Sequence, residues 1–355
     1  MLPGIFFMRK IIISSAGSYE KLVLTECPDL KCDSDDSVLI DVQYAGINYA
    51  DILVRMGVYE SAKAYVGWPI TPGFEVSGRV LQIGKNVTDF KLNDEVIGFT
   101  LFNGYSSQLC LPKDQVIAKP ANFNMVEAAC LPAAYMTAFY ALYQIVHLPP
   151  KALLLVHSAA GGVGSALVSL AVARGHRVVG VVGNPVKCQY VYDLGAEKVF
   201  ARGHQGFSYE QIRQEYGDSF DAVYDANGYS TLKFSYMILK PTGKLISYGS
   251  HNLLPKSGGR LNYLKAAMGL LRTPRFNPLD LITDNKSIVG FNLSFLFEFE
   301  LLKTDCLNGV MSMVRDQLIS PPITRTFDVT EVADAHRWLE SGESIGKLAL
   351  QFGSA

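Results

Sequence analysis

The sequence predicts an α/β protein, with a β-rich domain joined to a doubly wound, parallel-sheet nucleotide domain. Three observations carry that prediction. The first third reads as short β-branched strands punctuated by Gly and Asn/Asp turns. From Ala152 onward, continuous apolar strands alternate with helices, which means a parallel sheet covered on both faces. Between the first of these strands and its helix lies a glycine-rich turn, Ala159-Ala160-Gly161-Gly162-Val163-Gly164.

The elements follow in order. Met8-Arg9-Lys10 starts a strand, and the first seven residues read as an extension. Ser37–Tyr44, Phe74–Ile83 and Asp94–Thr100 are strands, with Gly46, Gly57, Gly67, Gly73, Gly84 and Asn93-Asp94 punctuating them. Glu127–Val146 is Ala-rich and helical in character, and Pro149-Pro150 ends it. Ala152–His157 is a buried strand, Gly162–Arg174 a helix, and Arg177–Val182 a second strand. A helix over Pro185–Leu194 stops at Gly195, and Lys198–Phe200 is a third strand. Phe220–Tyr224 and Lys244–Tyr248 continue the series around a helix near Ser230–Leu239. Ser250–Ser287 is mixed and partly helical. Within it Leu261–Leu271 is apolar and flanked by Lys256, Arg260, Arg272 and Arg275. Asn292–Phe299 suits a buried or subunit-pairing strand. Phe327–Glu340 carries a helix with Thr330 as N-cap candidate, and Lys347–Phe352 is a closing strand.

Bulk properties narrow the function. At 355 residues, two domains are expected. With 49% hydrophobic and 18% charged residues, the chain suits a well-buried fold rather than disorder. Its 32 basic and 33 acidic residues leave a net charge of -1, which argues against a nucleic-acid-binding surface. The six cysteines are scattered with no C-x-x-C spacing, so reduced thiols in a cytoplasmic protein are expected. The N-terminus lacks a basic n-region and a cleavage site, and no apolar run is long enough to span a bilayer.

The glycine turn has the strand–turn–helix context that a dinucleotide fingerprint requires. Ala160, Gly161, Gly162, Val163 and Gly164 would cradle a pyrophosphate at the helix N-terminus, where unpaired N–H groups favour anions. Ala159 replaces the first glycine of the motif. An NAD site usually carries an acid about 20 residues on. Here the second strand ends in Gly183-Asn184-Pro185-Val186-Lys187, with no acid and one lysine. Lys187 can pair with a ribose 2′-phosphate, so NADPH is the expected cofactor. Arg202, just past the third strand, is a second candidate phosphate partner.

Several motifs occur in a recognisable order: Ala45-Gly46-Ile47-Asn48 with Asp51, Thr71–Gly78, Gly104-Tyr105-Ser106, Leu131-Pro132-Ala133 with Thr137-Ala138, and His157–Gly164. In these the chain resembles the medium-chain dehydrogenase/reductase superfamily over nearly its whole length, and most closely its zinc-free quinone oxidoreductase branch. Gly243–Tyr248, Asn252-Leu253-Leu254 and Gly290-Phe291-Asn292-Leu293 resemble the vesicle amine transport protein-like subgroup. The resemblance implies a GroES-like catalytic domain over 1–132 and 286–355, a Rossmann domain over 133–285, and a homodimer paired through edge strands.

Zinc enzymes of this superfamily place Cys where this chain has Asn48 and His where it has Phe74. Catalytic zinc needs about three Cys, His or carboxylate ligands, and Asn and Phe cannot supply them, so no metal is expected. What remains is hydride delivery to a small electron-poor acceptor, a quinone or an α,β-unsaturated carbonyl. By family position, Asn48 would face the nicotinamide region and Tyr59 could donate a hydrogen bond to substrate. Thr137 would lie near the nicotinamide-side phosphate or ribose. Tyr248-Gly249-Ser250 and Phe291-Asn292-Leu293 would wrap the cofactor. Asn227 either reaches the adenosine ribose or merely turns the chain. A rival reading is a nucleotide-responsive, membrane-associated protein with little turnover, in which Leu261–Leu271 lies on anionic lipid rather than forming a lid or packed helix.

Overall fold

In the computed structural model, which describes residues 7–203, 207–297 and 302–353, β1 (Phe7–Ile12) and β2 (Val23–Pro28) pair as an antiparallel ribbon. Antiparallel pairing continues through β3 (Ser37–Ile47), β4 (Glu75–Ile83), β5 (Glu95–Phe99), β6 (Gln108–Pro112) and β7 (Val116–Ala118). Inward-facing Val38, Ile40, Val42, Val76, Val80 and Val96 fill the core of this domain.

The second sheet is parallel throughout. It comprises β8 (Leu153–His157), β9 (Arg177–Val182), β10 (Lys198–Ala201), β11 (Phe220–Asp225), β12 (Leu239–Ser247) and β13 (Ser287–Gly290), in the order β10-β9-β8-β11-β12-β13. The chain winds outward from β8 and then restarts at β11. The carboxyl ends of β8 and β11 therefore flank the topological switch point, where open α/β sheets bind ligands. β14 (Thr324–Asp328) and β15 (Lys347–Gln351) return to the first sheet, with β15 antiparallel to β3. β13 joins the parallel sheet by pairing with β12, so that sheet runs past the boundary expected at 285. Cys306, Leu307, Val310 and Val314 pack into the core beneath the same sheet.

Several local expectations are corrected. The helix expected over Glu127–Val146 is broken into Met125–Ala129, Pro132–Phe139 and a wider turn at Tyr140–Gln144, because Pro132 opens a new helix. Asn292–Phe299 is not a strand in its described part. The Asn292 side chain accepts from Ser294 N–H at 3.1 Å and starts a 3₁₀ turn over Leu293–Leu296. Residues 298 and 299 lie outside the described residues, as do the first six. The cap before the helix Val332–Ser341 is Asp328, which accepts from Thr330 N–H at 2.9 Å, not Thr330 itself. The cysteines are not all reduced. Cys32 and Cys110 form a disulfide with Cα atoms 5.8 Å apart, brought together as β6 pairs with β3. The helix Tyr263–Arg272 turns buried Gly269 toward Leu253 and Tyr229, while Leu264 and Leu271 are exposed. It is packed on one face only. No helix among the described residues is long and apolar enough to cross a membrane.

Candidate cofactor and active site

The glycine turn joins β8 to the helix Gly162–Ala173 at the switch point. Gly161 N–H donates to Ser158 O at 2.9 Å, which tightens the bend before the helix begins. A Cβ at Gly164 would sit 2.2 Å from Ser158 O, so only glycine lets the helix approach the strand this closely. A Cβ at Gly162 would lie 2.8 Å from Lys347 Cδ, so a β15 side chain from the first domain rests against the turn. Gly346 N–H donates to Ala160 O at 2.8 Å and fixes that contact.

Across the switch point, Ser158 Oγ donates to Asn227 Oδ1 at 3.0 Å. Asn227 is buried, and its Nδ2 has no partner among the described residues. Buried Asp225, at the end of β11, organises this loop. Its Oδ1 accepts from Asn227 N–H, Gly228 N–H and Thr231 Oγ1 at 2.8, 3.1 and 2.9 Å. Its Oδ2 accepts from Ser235 Oγ at 2.8 Å, and Ser235 is 2.9 Å from His157 Nε2. Burial pushes the His157 imidazole below its usual range, opposed by the Asp225 charge. Tyr248 leaves β12 with its hydroxyl buried and unpartnered, its ring stacked on Phe291 at 6.2 Å. Gly249 is held close by its neighbours, since a Cβ there would lie 2.7 Å from Ala226 O. Ser250 O accepts from Leu253 N–H at 3.0 Å, and Leu293 is half-buried against the sheet's core.

The loop Gly183-Asn184-Pro185-Val186-Lys187 after β9 holds no carboxylate. Asn184 Oδ1 caps Val186 N–H at 3.1 Å, and Gly183 leads into it. Lys187 departs from the expected free cation. Its Nζ donates to Gly342 O and Ser344 O, both at 2.6 Å, and it is buried. Burial pushes its ammonium down to about 8, against the pull of Glu343. Arg202 forms no ion pair among the described residues, and its Nε is buried without a partner. Its positive charge also depresses Lys187 and His251. These groups fit a dinucleotide. The turn supplies N–H donors, while among the described residues Asn227 Nδ2 and the Tyr248 hydroxyl are unpartnered and Arg202 forms no ion pair.

On the other wall, Asn48 caps the helix Tyr49–Met56 with Asp51, whose Oδ2 accepts from Asn48 N–H at 2.8 Å. Asn48 Nδ2 donates to Glu75 Oε1 at 2.9 Å, and Lys347 Nζ donates to Asn48 Oδ1 at 2.6 Å. Lys347 and Glu75 form a buried ion pair at 2.7 Å. Phe74 packs edge-on to Tyr59 at 6.0 Å, forming an aromatic wall. Tyr59 Oη donates to Asn292 Oδ1 at 3.3 Å, tying it to the segment that follows β13; burial raises its phenol above the usual range. Thr137 Oγ1 donates to Ala133 O at 2.6 Å, within its own helix. Among the described residues, no three His, Cys, Asp or Glu side chains cluster as metal ligands.

Sequence reasoning left Lys347 and Asp225 out of the site and gave Glu75 no role in it. Lys347 carried one legible signal, a charge heading an otherwise apolar closing strand.

Comparison with known proteins supplies the lineage. Residues 34–121 match the alcohol dehydrogenase GroES-like domain family, and 162–300 match the family described as zinc-binding dehydrogenase. The synaptic vesicle membrane protein VAT-1 homolog of Danio rerio is 30% identical over 345 residues, covering 97% of this chain and 70% of that protein. The crystal structure of human synaptic vesicle membrane protein VAT-1 homolog-like protein has a TM-score of 0.80 at 25% identity, covering 98% of this chain and 99% of that one. An Escherichia coli quinone oxidoreductase complexed with NADPH shares the fold, with a TM-score of 0.79 at 23% identity, covering 97% and 100%. The chain belongs to the medium-chain dehydrogenase/reductase superfamily, beside the VAT-1 homologues.

Proposed function

We propose that this protein is an NADPH-dependent oxidoreductase that reduces quinones or α,β-unsaturated carbonyls without a metal. Its main support is Lys347, whose stem rests against Gly162 of the nucleotide turn while its ammonium holds Asn48. Lys347 thus touches both the nucleotide turn and the candidate catalytic amide. Bound NADPH would supply the hydride. The chain's own residues would orient it and offer Asn48 and Tyr59 as hydrogen-bond donors to an acceptor oxygen that gains negative charge. Asn48 and Phe74 cannot ligate zinc, which favours acceptors already activated by conjugation.

NADPH over NADH is supported by the missing acid after β9, by Arg202, and by the one Lys187 N–H that is not given to Gly342 O or Ser344 O. Domain limits close to 1–132 with 291–355 for the first domain and 133–290 for the parallel-sheet domain, a cytoplasmic location and a homodimer paired through the β13 edge belong to the same reading. The test is NADPH oxidation followed by absorbance with a panel of quinones and enones. Turnover with NADPH and not with NADH supports the proposal; no turnover with either cofactor overturns it.

One observation favours a second reading, contact with an anionic bilayer. The helix Tyr263–Arg272 exposes Tyr263 at 77%, Leu264 at 79% and Leu271 at 86%, beside Arg272 and Arg275. Sedimentation with phosphatidylserine vesicles, compared with Leu264→Glu/Leu271→Glu, tests it. Equal recovery of both proteins removes it.

A further inference from the structure

We propose that the buried Lys347–Glu75 ion pair is a positioning device that turns Asn48 into a fixed hydrogen-bond donor facing the cleft. The inference deepens the reductase reading above and rests on it for its catalytic meaning.

Lysine only donates and an ionised carboxylate only accepts. Lys347 Nζ donates to three oxygens: Asn48 Oδ1 at 2.6 Å, Glu75 Oε1 at 2.7 Å and Ile47 O at 3.0 Å. Glu75 Oε1 accepts in turn from Asn48 Nδ2 at 2.9 Å, while its Oε2 accepts from Ala133 N–H at 2.7 Å. Only one orientation of the Asn48 amide satisfies both neighbours. Flipped, it would set NH₂ against an ammonium and C=O against a carboxylate. The network therefore assigns the amide, which the atoms' shapes alone cannot do. With Oδ1 held by Lys347 and one N–H held by Glu75, the group left to offer is the second N–H of Nδ2. Asn48 is half-buried, so that donor has room for a partner.

The charges serve orientation more than attraction. Lys347 and Glu75 come from strands on opposite sides of β3, and their buried pair is weak support for stability on general grounds. What it does is choose the polarity of the amide. An acceptor oxygen that becomes negative needs a donor, and a freely flipping amide would offer its oxygen as readily.

Lys347→Met tests this. Expected is a loss in kcat of roughly 10- to 100-fold, the scale for removing a group that orients a functional side chain. The dissociation constant for NADPH, read by its fluorescence, should change less than about threefold, since the turn's N–H donors remain. Lys347→Arg should recover most of kcat, because a guanidinium can donate to both oxygens. The double variant Lys347→Met/Glu75→Gln removes both charges and guards against a folding defect. It should regain thermal stability while kcat stays low. Unchanged kcat in Lys347→Met overturns the proposal, and so does a double variant that regains kcat together with stability. An activity-independent readout is the Asn48 side-chain amide in ¹⁵N NMR spectra, assigned by its loss in Asn48→Asp. It should give two proton signals whose chemical shifts move markedly in Lys347→Met, as the amide loses its fixed partners. If wild type reduces no quinone or enone, the reductase reading fails. The amide signals then still decide the positioning: a spectrum unaltered by Lys347→Met overturns it.

Discussion

Arg55 Nη2 and Glu340 Oε2 lie 2.7 Å apart, and neither side chain is exposed to solvent. The pair also fixes the segment between β12 and β13. Arg55 donates to Gly259 O at 3.3 Å, and Gly259 N–H donates to Glu340 Oε1 at 3.0 Å. Tyr19 sits between Arg55 and Arg337, its ring 4.4 and 4.5 Å from the two guanidinium carbons. Arg55→Met strands a buried carboxylate and should cost about 3–5 kcal/mol, whereas Arg55→Met/Glu340→Leu should recover most of that loss. Denaturant unfolding of the two variants checks both statements.

Gly164→Ala should be destabilising by on the order of 1–3 kcal/mol, since its methyl would meet Ser158 O at 2.2 Å. The helix can yield only by withdrawing from the turn. NADPH affinity should therefore fall with stability, as isothermal titration beside thermal melts would show.

Lys187 gives a pH dependence with a definite sign. Burial lowers its ammonium to about 8, so the charge is present below that pH and lost as pH rises through it. A phosphate monoester gains its second negative charge near about pH 6. The KM for NADPH should be lowest between these values and rise above about 8. Lys187→Ala should raise the NADPH KM by roughly 10- to 100-fold, the worth of a charged hydrogen bond, and abolish the alkaline rise. A KM for NADPH that is level from pH 7 to pH 9 in wild type would sink this assignment.

Tyr59→Phe removes a hydroxyl that donates to exposed Asn292 at 3.3 Å and leaves the ring against Phe74. Stability should change little. If that hydroxyl serves the acceptor, kcat should drop by about 100-fold, as for loss of one oxyanion donor. Steady-state rates set against melting temperatures separate the two effects.

The nucleotide half was legible because its signals are local. A buried run such as Leu153–His157, a glycine bend and an apolar helix declare themselves within a few turns of chain. Asn48 and Tyr59 were legible through motif position. Lys347 and its partner Glu75 were not, because their contact spans 272 positions and appears only when β15 returns to β3. The Cys32–Cys110 disulfide was hidden for the same reason, since strand pairing rather than spacing joins it. Asn292–Phe299 misled because aromatic residues suit strands and buried turns alike. Its leading Asn supplied the local hydrogen bond that decides for a turn. Lys187 reads from the sequence as a free cation after β9, but its two carbonyl partners come from a loop far along the chain.

The return of β14 and β15 to the first sheet also bears on how such a protein could be inherited or rebuilt. The parallel-sheet half is an insertion within the other half, not an appendix to it. Transplanting it into a new host would require two splices, one before β8 and one after β13. A single cut would instead leave the host without the strand that carries Lys347, and so without the residue that joins the two halves at the cleft.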